Sequence, residues 1–177
     1  MLGTLVEYLH NAHVPFRLSS YPSAEEKPIA AHALPPGAML VETRLLTIAE
    51  RVVVAAFPSG EEVDLAAVAN TVGAAATHAT PSELPDEIRR AGEPVPPLGQ
   101  LLGVPILLDV RAASAAMLVF RAFGESAYVE VPYDDWARLE QPRVASFASA
   151  GELAQRSSAA RGREKTEPAT HRPSASR

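Results

Sequence analysis

An α+β fold with a mixed, curved β-sheet and short flanking helices follows from three features of the chain. Runs rich in β-branched and aromatic residues outnumber long helical patterns. Several neighbouring runs are joined by very short connections, which favours antiparallel pairing. With 177 residues and 47% hydrophobic content, the chain can bury one good core and still leave a tail. The globular domain is expected over residues 1–145. Residues 146–177, rich in Ala, Ser and Arg, are expected as a disordered basic tail, with almost nothing to bury over Arg156–Arg177.

Each element has a local reason. Leu5, Val6 and Leu9 fall at helical spacing, and Thr4 with Glu7 three residues on reads as an N-cap, giving a helix over Thr4–Ala12. Val14–Leu18 reads as a short strand, Tyr21–Pro28 as a turn, and Ile29–Leu34 as one or two helical turns closed by Pro35, Pro36 and Gly37. Met39–Ile48 and Arg51–Phe57 are β-rich and separated only by Ala49–Glu50, a tight hairpin. Glu61, Glu62 and Asp64 read as a solvated turn, with Asp64 capping a helix over Leu65–Val72 that stops at Gly73. Thr77–Thr80 is weakly strand-like, and Ser82 to about Ala91 reads as a short helix. The apolar run Val104–Leu108 suits a strand buried on both faces. Strands over Met117–Phe123 and Tyr128–Val131, turning at Gly124–Ser126, precede a last helix over Asp134–Leu139 with Trp136 as a core anchor.

Composition excludes several functions. The chain has no cysteine, hence no disulfide, thiolate zinc site or cysteine nucleophile, which fits a reducing cytoplasm. No run approaches the roughly 18 apolar residues of a membrane span, and the N-terminus lacks the pattern of a secretory signal. Residues 156–177 carry six Lys/Arg against two Asp/Glu, so the net charge of −5 leaves −9 for residues 1–155. Such a body cannot coat itself in phosphates, so any nucleic-acid contact must be local or shared with another molecule. GxSxG, Walker, GxGxxG and HExxH patterns are absent. His10 and His13, three apart, read as exposed residues near a helix C-terminus rather than metal ligands.

One stretch stands apart: AGEPVPPLGQLLGVPILLD, Ala91–Asp109. Prolines cannot donate, so within Gly92–Gly99 the only backbone N–H groups belong to Gly92, Glu93, Val95, Leu98 and Gly99. Fixed proline φ angles pre-order these donors, as a site that stabilises a developing oxyanion requires. The same loop equally suits a stiff connection with no ligand.

The ordered landmarks HVPFRLSSYP, PPGAMLVETRLL, FPSGEEVDLAAVANTVGA, PVPPLGQLLGVPILLD and FRAFGESAYVEVPYDDWARL together resemble the YbaK/prolyl-tRNA synthetase-associated editing domains over roughly Leu5–Leu139. The resemblance implies hydrolysis of mischarged aminoacyl-tRNA in a pocket that takes the tRNA 3′ end with its aminoacyl group. It also implies an aminoacyl-tRNA synthetase as a possible partner, and neither cofactor nor metal. It places Glu42, Gly92 and Gly99 as catalytic positions, with Thr43, Arg44, Glu93, Val95, Pro97, Leu98, Asp109 and Phe123 around the substrate. With no cysteine and no recognisable Ser–His pair, water is the expected nucleophile. The loop amides would hold the carbonyl, and Glu42 would orient the substrate α-ammonium or polarise water.

Three positions depart from the family pattern. Glu42 stands where such domains usually carry a lysine before Thr43, an inversion of charge at a position whose loss typically costs about 10²–10³ in rate. Glu93 and Pro94 occupy places that tend to hold a glycine, with Gly92 displaced, and Phe123 replaces a common glycine. Glu42 and Arg44 would share a strand face about 7 Å apart. Arg44 then either supplies the missing cation or forms a surface pair with Glu42 worth little. A catalytically degenerate binding module for an aminoacyl group, a nucleotide or a protein is the alternative reading.

Overall fold

A computed structural model describes residues 2–20, 34–92, 94–123 and 127–150. The expected turns at Tyr21–Pro28 and Gly124–Ser126, all of Ile29–Leu34 but Leu34, Glu93 and the Arg156–Arg177 tail lie outside the described residues. The rest is an α+β fold with a mixed eight-stranded sheet and, among the described residues, five α-helices.

The chain opens with α1 (Leu2–Asn11), which buries Leu5 and Leu9. Thr4 lies inside this helix rather than capping it. Val14 does not begin a strand: its amide returns to Leu9 O at 3.0 Å, and β1 (Arg17–Ser20) starts three residues later. The long hairpin is β2 (Ala38–Ile48) and β3 (Arg51–Pro58), paired from Val41↔Pro58 to Ile48↔Arg51. Its turn residues both have positive φ, 47° at Ala49 and 64° at Glu50, the conformation that matches the twist of paired strands. The residues expected as a solvated turn instead form β4 (Glu61–Val63), paired with a distant β10 (Ala148–Ala150). Asp64 caps α2 (Leu65–Val72) by accepting from the amides of Ala66 and Ala67 at 2.9 and 3.0 Å, and Gly73 ends it at φ 75°.

β5 (Ala76–His78) precedes α3 (Asp86–Ala91), which is shorter than expected because residues 81–84 form turns. A one-turn α4 (Gly99–Leu102) then leads to β6 (Ile106–Asp109), β7 (Met117–Arg121), β8 (Ala127–Pro132), α5 (Tyr133–Glu140) and β9 (Arg143–Ala145). β7 stops two residues short of Phe123. The strand order is β1-β8-β7-β2-β3-β6-β9, with β5 also on β2. Hairpin neighbours are antiparallel, whereas β2/β7, β3/β6 and β6/β9 are parallel. Alternation along β2 and β3 splits the core: Val41, Leu45, Val54 and Ala56 pack with α1, Phe120 and Trp136, while Leu46, Val53, Ala55 and Phe57 pack with Val68 and Phe147. Buried Phe147 and β10 carry the fold past the expected boundary at residue 145.

Asp109 joins this second core to the sheet edge. It is fully buried at the end of β6. Its Oδ2 accepts from the amides of Phe147 and Ala148 at 3.0 and 2.9 Å, and its Oδ1 from the Arg111 amide and Nε, both at 3.0 Å. Burial alone would push its carboxyl up. The bonds from Phe147, Ala148 and Arg111 outweigh it and hold the group below the ordinary range. Arg111 continues to Glu61 at 2.8 Å, so both carboxylates and the guanidinium tie β4, β6 and β10 together.

Candidate functional site

The site arises from an interruption in strand pairing. Gly37 (φ 74°) turns the chain so that Ala38–Leu40 of β2 run beside β7, and Ala116 donates to Gly37 O at 3.0 Å. Further along the same edge, β5 pairs only with Leu46–Ile48, reinforced by Ala79 N–H to Leu45 O at 2.9 Å. Between these contacts residues 41–44 have no strand on that side among the described residues. In an antiparallel ladder, backbone groups point alternately to either edge. Ser59 N–H reaches Leu40 O at 2.9 Å, so Leu40, Glu42 and Arg44 turn their backbone groups toward β3. Val41, Thr43 and Leu45 turn theirs outward, and the Thr43 N–H opens onto the gap.

The loop after α3 walls this gap. Thr43 Oγ1 donates to Val95 O at 2.5 Å. Trp136 Nε1, fully buried in α5, donates to Pro97 O at 2.9 Å. Between the β2 edge, the prolines and the place where β7 ends and β8 begins lies a cavity of about 430 Å³, within the size range of small-molecule sites. β2 supplies Leu40–Arg44, the loop Pro94, Val95 and Pro97, and the flanking strands Ser59, Phe120, Arg121 and Tyr128. A second pocket of about 250 Å³ adjoins it along Thr43–Leu45.

The expected residues therefore separate into two groups. Glu42, Thr43, Arg44, Val95 and Pro97 meet at one cavity. Gly92, Leu98, Gly99, Asp109 and Phe123 do not line it. Gly92 ends α3, its amide spent on Ile88 O at 3.2 Å. The Leu98 amide turns to Pro96 O at 2.8 Å. The Gly99 and Gln100 amides open α4 onto the buried carboxylate of Glu140, with Gln100 N–H at 2.9 Å from Oε2. Tyr8 donates to Oε1 at 2.8 Å. Glycine is required at 99 by packing: a Cβ there would meet Val104 O at 2.3 Å and Ile106 Cγ1 at 2.6 Å. Phe123 is buried in the core, and Asp109 is the brace described above. Of the loop amides among the described residues, that of Val95 alone donates to no protein acceptor.

Electrostatically the cavity is uneven. Glu42 is half-buried, and its Oε1 accepts from Ser59 Oγ at 2.5 Å. Arg44 also lines the cavity but makes no ion pair with Glu42. Its guanidinium donates to Thr43 O at 3.0 Å and lies 5.9 Å from the centre of the Phe57 ring. The expected surface pair with Glu42 is thus corrected. No cluster of His, Asp or Glu suited to a metal occurs among the described residues, and His10 and His13 are exposed. Ser59 was legible in principle: a two-residue turn fixes the hairpin register, which sets residue 59 opposite Leu40 and beside Glu42. Phe120, Arg121 and Tyr128 were not, since the parallel β2/β7 contact that brings them in leaves no local mark.

No protein-family model matches the chain, and no curated protein does. Solved structures do. One described as a candidate trans-editing enzyme for prolyl tRNA synthetase is 18% identical with a TM-score of 0.64, covering 83% of this chain and 96% of its own. A hypothetical protein is 16% identical with a TM-score of 0.63, over 82% and 99%. A candidate signal transduction protein from Marinobacter aquaeolei VT8 is 16% identical with a TM-score of 0.62, over 82% of this chain, which spans only 30% of that longer protein. At these identities the likeness shows a shared fold: the chain has the α+β architecture of these proteins.

Proposed function

We propose that the chain is an aminoacyl-tRNA deacylase of the YbaK-like editing type, and that the cavity beside the β2 edge takes the aminoacyl ester at a tRNA 3′ end. The observation that carries the reading is the meeting of Glu42, Thr43 and Val95 around one concavity, although they come from a strand and a loop 52 residues apart. The backbone N–H groups of Thr43 and Val95, which donate to no protein acceptor among the described residues, would serve an ester carbonyl. Water attacks the carbonyl carbon, negative charge gathers on its oxygen beside these two amides, and the ester C–O bond then breaks. The ribose oxygen leaves with a proton, giving free amino acid and tRNA. Because the amides are held by strand pairing and by prolines, they need little reorganisation as charge develops.

Incubation of the purified protein with a panel of misacylated tRNAs tests this. Shortened ester half-lives for at least one aminoacyl group are expected, and half-lives equal to protein-free controls throughout would refute it. The binding-module reading draws on a specific observation as well: Glu42 holds the place of the usual lysine, and the Leu98 and Gly99 amides are spent internally. Activity that appears only after Glu42→Lys would favour that reading, whereas activity of the unmodified protein would dismiss it.

A further inference from the structure

We infer that the cavity selects ligands with a free, protonated amine next to the carbonyl, and that Glu42 is the group that receives the ammonium. This deepens the aminoacyl reading by naming what the amine must be, although the cation contact itself does not depend on tRNA.

Three observations carry it. Glu42 is a half-buried carboxylate on a cavity wall with only one hydrogen bond among the described residues, from Ser59 Oγ to Oε1, so Oε2 is open to a second donor. Arg44, on the same strand face, makes no ion pair with Glu42 and instead donates to Thr43 O beside the Phe57 ring. The next residue, Thr43, opens its N–H onto the same gap. One strand therefore presents an anion and a carbonyl donor in consecutive residues. An α-amino ester or amide carries the matching pair, ammonium and carbonyl, on one carbon. A half-buried carboxylate is screened less than an exposed one, so a cation there gains more than at the surface. An N-acylated ligand brings no charge, keeps one N–H where the ammonium has three, and adds bulk.

The test uses L-alaninamide and N-acetyl-L-alaninamide, titrated into the ¹⁵N-labelled full chain at pH 6.5, where the free amine is protonated. Alaninamide should move the Thr43 and Ser59 amide signals and bind about tenfold more tightly than its acetylated form, less so at high salt. Glu42→Gln should weaken alaninamide about tenfold and leave N-acetyl-alaninamide unchanged; the same spectra report whether the variant is folded. Equal affinity of the two probes, equal weakening of both by the substitution, or no alaninamide shifts at Thr43 and Ser59 would each overturn the inference. The two proposals fail separately. Hydrolysis of N-acetyl-aminoacyl-tRNA as fast as the free-amine substrate would sink this one and spare the deacylase. Selective alaninamide binding without any tRNA deacylation would do the reverse.

Discussion

Replacing Glu140 by alanine takes the acceptor away from the Tyr8 hydroxyl, the Gln100 amide and the Gly99 amide at once. Glu140 is 3% exposed, so water cannot freely substitute. Each buried donor left unpaired costs about 1–3 kcal/mol. Tyr8 is only partly buried and Gln100 is exposed, which keeps those two losses near the low end, and removing a buried charge gives back about 1 kcal/mol. The net expectation is a loss of about 2–3 kcal/mol, or roughly 5–10 °C in Tm for a domain of this size. Glu140→Gln can accept from Gln100 and donate to the Tyr8 oxygen, so it should cost about 1 kcal/mol or less. The pH dependence separates charge from shape. Burial pushes the Glu140 carboxyl up, more than the bonds from Gln100, Tyr8 and Gly99 pull it down. A raised carboxyl contributes stability that is fully present below its unfolded value of about 4.3 and is lost as pH rises through the folded value. The stability difference between the wild type and Glu140→Gln should therefore shrink from acid toward neutral pH. Urea unfolding at several pH values, followed by the fluorescence of Trp136, the only tryptophan of the chain, reads all three quantities. An alanine variant within 1 kcal/mol of wild type, or a glutamine variant as costly as alanine, would refute the assigned role.

Asp109→Asn should cost about 3 kcal/mol, because an amide nitrogen must face two of the four N–H donors that now converge on the carboxylate. Since that carboxyl is lowered, its contribution is present above the unfolded value of about 3.9 and lost as pH falls through the folded one, so the acid limb of the stability curve should flatten in the variant. Gly99→Ala should destabilise by about 3 kcal/mol or more, given a Cβ 2.3 Å from a carbonyl oxygen; a stable variant that loses only activity would return Gly99 to the catalytic role expected from the sequence. Ala49→Asn with Glu50→Gly should raise stability by about 1 kcal/mol, because both positions hold left-handed backbone conformations; no gain in thermal unfolding would count against the hairpin geometry.

Structure and expectation agree where the local mark is strongest, although Thr4 does not cap α1 and Val14 does not begin a strand. The β2–β3 hairpin needs only two β-rich runs and a two-residue gap, and α2 announces itself by Asp64 before it and Gly73 after it. Long-range pairing leaves no such mark. β4 and β10 meet across about 85 residues, and neither three-residue run means anything until Arg111 and Asp109 fasten them. The site divides in the same way. Glu42, Thr43, Arg44, Val95 and Pro97 line one cavity, and it is the family resemblance that points to them, strand alternation adding only the shared face of Glu42 and Arg44. Leu98, Gly99 and Asp109 lie away from that cavity because other partners claim them: the Leu98 amide donates to Pro96 O, the Gly99 amide to Glu140, and the Asp109 carboxylate accepts from the amides of Phe147, Ala148 and Arg111. The charge of Arg44 was legible, but its preference for Thr43 O and the Phe57 ring over Glu42 was not.

The account turns on two amides, those of Thr43 and Val95, facing a ligand carbonyl across the gap in the sheet. Amide chemical-shift mapping with a non-hydrolysable 3′-(L-alanylamino)-3′-deoxyadenosine tests this most directly. The largest shifts are expected at Thr43 and Val95, with smaller ones at Ser59 and Arg44 and none at Gly99 or Asp109. Shifts centred instead on the separate apolar pocket around Phe16, Met117 and Glu130, or no saturable shifts at all, would contradict it.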